Sequence, residues 1–389
     1  MQDRIILKRI EKSKKSLLLL GPRQVGKSCL CQQLNPKKTF NLADESLFLE
    51  LARDPSRLKR ELKAFTKHTL VLIDEIQRLP SLMNTVQTLI DESPGQFRFL
   101  LTGSSARKLK RGGANLLPGR VILEYLDPFS YFEVKNSFDL ERTLQVGMLP
   151  GVYLNQEEGV DILSTYTDTY LREEIQSEAL VKNIGSYARF LDIAALSSGQ
   201  WINYSKISSD AEIPKETIRR FFSILEETLL VFRLPPFEPK HEISRRTSQR
   251  DKFFFFDIGV RNSLLGLHLR KISQTQIGSI FEQWLILQIF YLNRAYQKRW
   301  QLSAYRTEAG AEVDLVIELP DHLIGIEIKS GKNVGRTDLR GLRSLNEIVS
   351  AYKPLKKWVA YQGSSKQVFD TGETVFPYLE LLEALVLES

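Results

Sequence analysis

The sequence predicts an α/β chain in three parts: a parallel-sheet domain, a helical middle region with a helix-turn-helix, and a second, smaller α/β domain. Three observations predict it. Residues 1 to about 150 alternate short apolar runs with helical patterns, as a sheet buried on both faces requires. Residues 160 to 235 are largely helical by pattern, with a break at Ile213-Pro214. Strand-like segments return after residue 300 as LSAYRT, EVDLVIE, LIGIEIKS and KWVAYQ. The expected domains are 1–155, 156–260 and 261–389.

A chain of 389 residues is long enough for two or three domains with sizeable cores. Apolar content of 42% and charged content of 26% suit a globular protein. No apolar run reaches membrane-span length, so no membrane partner is expected. The start, MQDRIILKRIEKSKKSLLLLG, is basic and then apolar, but Leu17 to Leu20 is too short for the apolar core of a signal peptide. Cys29 and Cys31 are too few for a disulfide framework or a zinc site, which points to a reducing cytoplasm. A net charge of +7 is compatible with a polyanionic partner.

The first three apolar runs, Ser16-Leu20, Leu70-Ile73 and Phe97-Thr102, read as buried parallel strands. The first runs into GPRQVGKS, which matches the phosphate-loop pattern G-x-x-x-x-G-K-[ST] between a strand and a helix. Its backbone N–H groups, from Gly21, Pro22 (which has none of its own), Arg23, Gln24, Val25, Gly26, Lys27 and Ser28 on to Cys29, form the expected cradle for ATP. Lys27 is expected to reach the β- and γ-phosphates and Ser28 to ligate Mg²⁺. The second run ends in Asp74-Glu75, so Asp74 is expected to hold Mg²⁺ through water and Glu75 to polarise the attacking water. The third ends in the hydroxyls Thr102, Ser104 and Ser105, any of which can sense the γ-phosphate. Arg120, or else Arg107, is a candidate arginine finger toward a neighbouring subunit.

GPRQVGKS, LVLIDEIQ, LLTGSS and LPGRVILEYLDPFSYFE together resemble the archaeal and bacterial AAA+ ATPases of the AAA_14 type. GMLPGVY, YLREEI, TIRRFFSILEETLLVFRLPPF, KFFFFDIGV and FEQW, followed by EVD and EIK, resemble the DUF4143 region that usually follows such ATPases. The resemblance implies a P-loop AAA+ domain and a homo-oligomer, a hexameric ring being the expected form.

In the middle region, NYSKISSDAEIPKETIRRFFSILEETLLVFRL reads as helix, tight turn, helix, strand. As a winged helix it would present Lys215, Thr217, Arg219 and Arg220 near the start of its second helix to DNA. The segment KHEISRRTSQRDK would be a basic wing, with Arg245, Arg246, Arg250 and Lys252 on phosphates.

The last motif is AEVDLVIELPDHLIGIEIKS, two apolar-alternating segments around the turn Leu319 to His322. A four-residue loop there sets Glu318 opposite Leu323, Asp314 opposite Glu327 and Glu312 opposite Lys329. Val313, Leu315, Ile317, Ile324, Ile326 and Ile328 then share a buried face, and the charged residues take the other. Like charges directly opposite are destabilising, and a divalent cation removes the conflict. The spacing D-x12-E-x-K is that of the PD-(D/E)xK nucleases, a restriction-endonuclease-like α/β fold, although Glu312-Val313 precede the aspartate where that pattern has proline. Asp314 and Glu327 are expected to bind Mg²⁺ and Lys329 to position the nucleophilic water. Glu282, read as lying in the first turn of a buried helix, is expected to join them.

Two functions follow. The first is an ATPase that remodels or translocates DNA, possibly branched, with a nuclease-like domain that grips or cleaves it. The alternative is an ATP-gated signalling or toxin/defence switch of the STAND type, whose C-terminal domain is an effector or an inactive platform. A pure binding module is disfavoured by Lys27, Asp74 and Glu75.

Overall fold

The computed structural model describes residues 2–65, 68–104, 109, 117–170, 184–238, 250–351 and 353–388. They fall into two compact units. The first comprises Met1–Asn136, Leu149–Gly151 and Ser223–Leu230; the second comprises Ser137–Met148, Val152–Phe222 and Val231–Ser389.

The first unit is a five-stranded parallel sheet of β1 (Ser16–Leu20), β2 (Lys38–Asn41), β3 (Thr69–Asp74), β4 (Phe97–Gly103) and β5 (Val121–Tyr125). Its order is β2-β3-β4-β1-β5. The three expected apolar runs are its three central strands. Each is buried along nearly its whole length because helices cover both faces. Leu18, Leu20, Val71, Ile73, Phe99 and Leu101 form one core with Met83, Val86 and Leu89 of the Leu82–Glu92 helix. The order has a functional result: β4 lies between the strand that feeds the phosphate loop and the strand that carries Asp74.

The second unit holds a six-stranded mixed sheet of β8 (Gln301–Arg306), β9 (Glu312–Glu318), β10 (Leu323–Lys329), β11 (Leu355–Tyr361), β12 (Gln367–Val368) and β13 (Thr374–Pro377), in the order β12-β13-β11-β10-β9-β8. β8, β9 and β10 are an antiparallel meander, and β10, β11 and β13 run parallel. The expected hairpin register is observed at Glu318↔Leu323, Ile317↔Ile324, Val316↔Gly325 and Leu315↔Ile326. Its turn closes with Leu319 N–H donating to the His322 carbonyl at 3.0 Å.

The expected division into one apolar and one charged face is not what the hairpin has. Both faces are buried. Val313 packs in the same cluster as Val316 and Leu323, together with Leu342 and Leu345 of the Arg340–Val349 helix. Two causes are visible. That helix covers the face that the alternation assigned to the acids, and a register slip between Ser303 and Tyr305 of β8 breaks the alternation of β9.

The same unit contains the helix Tyr204–Ala211, a turn with Glu212 in the left-handed region (φ 56°), and the start of the helix Lys215–Glu227. An antiparallel pair follows, β6 (Val231–Leu234) and β7 (Lys252–Phe255). Asn203 caps the first helix by accepting the Lys206 N–H at 3.1 Å. Phe221 and Phe222 meet Tyr187, Phe190, Tyr204 and Phe253 in a cluster of rings.

Candidate functional site

The phosphate loop leaves β1 through a constrained path. A side chain at Gly21 would stand 2.2 Å from the Leu126 carbonyl oxygen, so no larger residue fits. Gln24 (φ 63°) and Gly26 (φ 92°) turn the backbone into the Lys27–Gln33 helix. The buried Lys27 folds back and donates from Nζ to the Gly21 and Pro22 carbonyls at 2.9 and 2.8 Å. Arg4, in the basic N-terminal segment where no motif marks it, braces the loop. Its guanidinium donates to the Val25 carbonyl at 2.8 Å and pairs with Glu133 at 2.9 Å. Ser28 is half-buried and Cys29 exposed; Cys31, on the same helix, is buried, and its thiol is pushed up to about 12 by that burial.

Asp74 ends β3 with 9% exposure, and Glu75 takes a left-handed backbone (φ 60°). Thr102 joins the two: its hydroxyl donates to the Asp74 carboxylate and accepts the Glu75 N–H at 3.1 Å. Thr102 is fully buried. Gln77 bonds the Glu75 carboxylate and donates to Ser104 Oγ at 3.0 Å, a network that no motif signalled. Arg120 forms a two-pronged ion pair with Asp91, at 2.7 and 2.9 Å. Arg107 and Ser105 lie outside the described residues.

The second cluster lies in the other unit. The Asp314 carboxylate is buried and accepts the Ile328 N–H at 2.8 Å. Glu327, 8% exposed, holds Lys329 Nζ at 2.7 Å through Oε1. Its Oε2 is buried with no hydrogen-bond partner among the described residues. Glu282 lies in the third turn of the Gln274–Ala295 helix rather than the first, because that helix begins at a Ser273 capping box. It reaches Lys252 Nζ at 3.5 Å. Glu312 does not pair with Lys329. It accepts from Lys252 at 2.9 Å and from Trp201 Nε1 at 2.8 Å.

Lys252 is therefore a correction. It was expected on an exposed wing over DNA phosphates, yet it is 2% exposed and is the cation among three acids, Glu282, Glu312 and Asp314. The reason is tertiary: β7 pairs with β6, and the bridge between Lys252 and Trp201 carries the ammonium inward. Of the other expected DNA contacts, Lys215, Arg219 and Arg220 are exposed and Thr217 is half-buried. Arg219 lies 3.3 Å from Glu216 and over the Tyr204 ring. Arg250 is exposed, and Arg245 and Arg246 lie outside the described residues.

Burial, and then the charge of Asp314, push the Glu327 and Glu282 carboxyls up to about 8. Burial likewise raises Asp314, against the pull of Lys252 and the Ile328 N–H. For Lys252 burial works in the opposite sense, but Glu282, Asp314 and Glu312 outweigh it and hold the ammonium above its ordinary value. Among the described residues no set of three or more His, Cys, Asp or Glu side chains is prearranged as a metal chelate. The donor chemistry nevertheless suits a hard divalent cation: carboxylate oxygens, one of them unpartnered, in a site whose acids hold protons tightly when no cation is bound.

Family comparisons match three consecutive stretches. The AAA domain family AAA_14 covers residues 13–135, the domain of unknown function DUF8612 covers 137–271, and the domain of unknown function DUF4143 covers 277–381. The chain thus carries an N-terminal P-loop ATPase domain of the AAA_14 type and a separate C-terminal DUF4143 domain with a mixed sheet. The Mycobacterium tuberculosis "Uncharacterized protein Rv2008c" is 27% identical over 323 residues, covering 80% of this chain and 70% of its own. The Methanocaldococcus jannaschii "Uncharacterized protein MJ1637" is 21% identical, with coverages of 86% and 80%. Among solved structures, a RuvB variant of Thermotoga maritima aligns at TM-score 0.30 and 15% identity, over 59% of this chain and 87% of its own. A likeness that slight supports nothing further. No helix among the described residues is long and apolar enough to cross a membrane.

Proposed function

We propose that this chain is an ATP-driven DNA-processing protein whose C-terminal domain grips DNA and, with a divalent cation, cuts it. The observation that carries the reading is the buried pair Asp314 and Glu327, with its unpartnered carboxylate oxygen and the half-buried Lys329 on Glu327, on the same chain as a complete phosphate loop and its two acids.

In the ATPase domain, Lys27 exchanges the Gly21 and Pro22 carbonyls for the β- and γ-phosphates when ATP enters. Ser28 and Asp74 hold Mg²⁺, which neutralises phosphate charge. Glu75 orients the attacking water, and Thr102 keeps the two acids in register. Arg120 acts on the next subunit of a homo-oligomeric ring, expected to be hexameric, once its exposed pair with Asp91 opens.

In the C-terminal domain, Asp314 and Glu327 hold the divalent cation, which supplies Lewis acidity at a phosphodiester. Lys329, tethered by Glu327, positions the nucleophilic water. The middle region is read as a winged helix, with Lys215, Thr217, Arg219 and Arg220 on the DNA backbone.

The test is the ATPase rate without DNA and with single-stranded, duplex and four-way-junction DNA, beside Lys27→Ala, followed by Mg²⁺-dependent cleavage of the most stimulating DNA by wild type and Asp314→Ala. Strong stimulation by one DNA form, with cleavage lost in Asp314→Ala, supports the reading. A slow rate indifferent to every DNA refutes the motor and favours the ATP-gated switch.

A further inference from the structure

The metal-site reading leaves one buried charge unused. The Lys252 side chain is 3% exposed, 2.9 Å from Glu312 Oε1 and 3.5 Å from Glu282 Oε1, with its ammonium 5.3 Å from the Trp201 ring centre. A lone buried ammonium is costly, so it must be held for its partners. Its backbone position is firm: Ile202 N–H donates to the Asp251 carbonyl at 2.9 Å, Gly199 N–H to the Phe253 carbonyl at 2.8 Å, and Leu234 faces Lys252 across the β6–β7 pair.

The cluster divides into two halves. Asp314 and Glu327 form one, with Lys329 tied to Glu327 and one Glu327 oxygen unpartnered. Glu282 and Glu312 form the other, with Lys252 between them and Trp201 donating to Glu312. Phosphodiester-cleaving sites use either one divalent cation or two held by shared carboxylates. Four acids would suffice for two ions. Here a protein ammonium already stands in the second half.

We infer that Lys252 is a built-in substitute for a second metal ion, so that the site takes one divalent cation, on Asp314 and Glu327, and excludes another from Glu282 and Glu312. The inference rests on the metal-site reading above. Lys252 is a positioning residue in this scheme: it is held by Glu282 and Glu312 and acts through them. Trp201 Nε1 keeps Glu312 turned toward the ammonium. The charge comes from the β6–β7 pair and not from the six-stranded sheet, so the ion count is set by how the two sheets are joined.

The experiment is Mn²⁺ binding to nucleotide-free, full-length protein, followed by the paramagnetic signal of the free ion and by calorimetry. Ions belonging to the cluster are those lost when Asp314→Asn and Glu282→Gln are combined in the same protein. Wild type is expected to bind one such ion, Lys252→Arg one, and Lys252→Met two. The Lys252→Met protein should also gain a Mn²⁺-dependent rise in melting temperature larger than that of wild type. If Lys252→Met does not fold without metal, Lys252→Gln, whose amide can still bond Glu312, is judged by the same count. One ion in folded Lys252→Met or Lys252→Gln, at wild-type affinity, overturns the inference and leaves the metal site standing. No cluster ion in any variant overturns both.

Discussion

Replacing Glu327 with glutamine should make the metal-free protein more stable at pH 8, and the effect should reverse when a divalent cation is supplied. The Glu327 carboxyl sits at about 8 in the folded chain, against 4.5 ordinarily, because burial and then the Asp314 charge oppose its ionisation. An acid whose folded value is raised contributes its full stability below the unfolded value and loses it as pH climbs through the folded one. The window therefore runs from about pH 4.5 to about pH 8. At about 1.36 kcal/mol per pH unit, the whole penalty is roughly 5 kcal/mol. Asp314 and Glu282 share it, so a single substitution recovers part, about 2 kcal/mol at pH 8 and well under 1 kcal/mol at pH 5. The amide can still accept the Lys329 bond, so little else changes. In EDTA, melting of the second unit should rise by about 4–8 °C at pH 8, with little change at pH 5. In saturating Mg²⁺ the order should invert, because only the carboxylate gains a cation. A variant that is less stable than wild type at pH 8 in EDTA, or equally shifted at both pH values, would refute the argument.

Three further outcomes are expected. Glu75→Gln should slow ATP hydrolysis at least about a hundredfold while ATP binding, followed with a fluorescent analogue, stays near wild type; loss of binding would show that Glu75 is structural. Gly341→Ala should destabilise the second unit by about 3 kcal/mol in urea unfolding, although alanine favours helices, because its Cβ would stand 1.7 Å from the Glu312 carbonyl oxygen and 3.3 Å from Val313 Cγ2; a neutral result would mean that the helix shifts without cost. Replacing Lys215, Arg219 and Arg220 together by alanine should weaken duplex binding about equally for all sequences and flatten its salt dependence by about three contacts, measured by fluorescence anisotropy; a sequence-dependent loss would point to base reading instead.

Much of this protein was legible because its motifs are local. The phosphate loop and the acids ending β3 depend on strand–turn–helix patterns within a few residues. The hairpin register beside the turn was equally legible, since a short turn fixes the pairs from Glu318↔Leu323 to Leu315↔Ile326; the expected pairs Asp314–Glu327 and Glu312–Lys329 are not in the observed ladder. β2 and β5 carried a weaker signal: their exposure is mixed, KTFN has a single large apolar residue, and the apolar run of VILEY stops after three residues at Glu124.

The sequence by itself marked the candidates for chemistry: Lys27, Asp74 and Glu75 in one unit, Asp314, Glu327 and Lys329 in the other. Tertiary structure alone decided what surrounds them. Strand order put Thr102, on β4, against both Asp74 and Glu75. Helix Arg340–Val349 buried a face that alternation had left charged. Pairing of β6 with β7 carried Lys252 from an expected wing into the acids, more than 50 residues from the nearest motif member in the hairpin. The physical reason is common to all three. Periodicity records which side of an element avoids water, whereas the partner of a buried charge is chosen by where distant segments meet, and one-dimensional spacing does not carry that information.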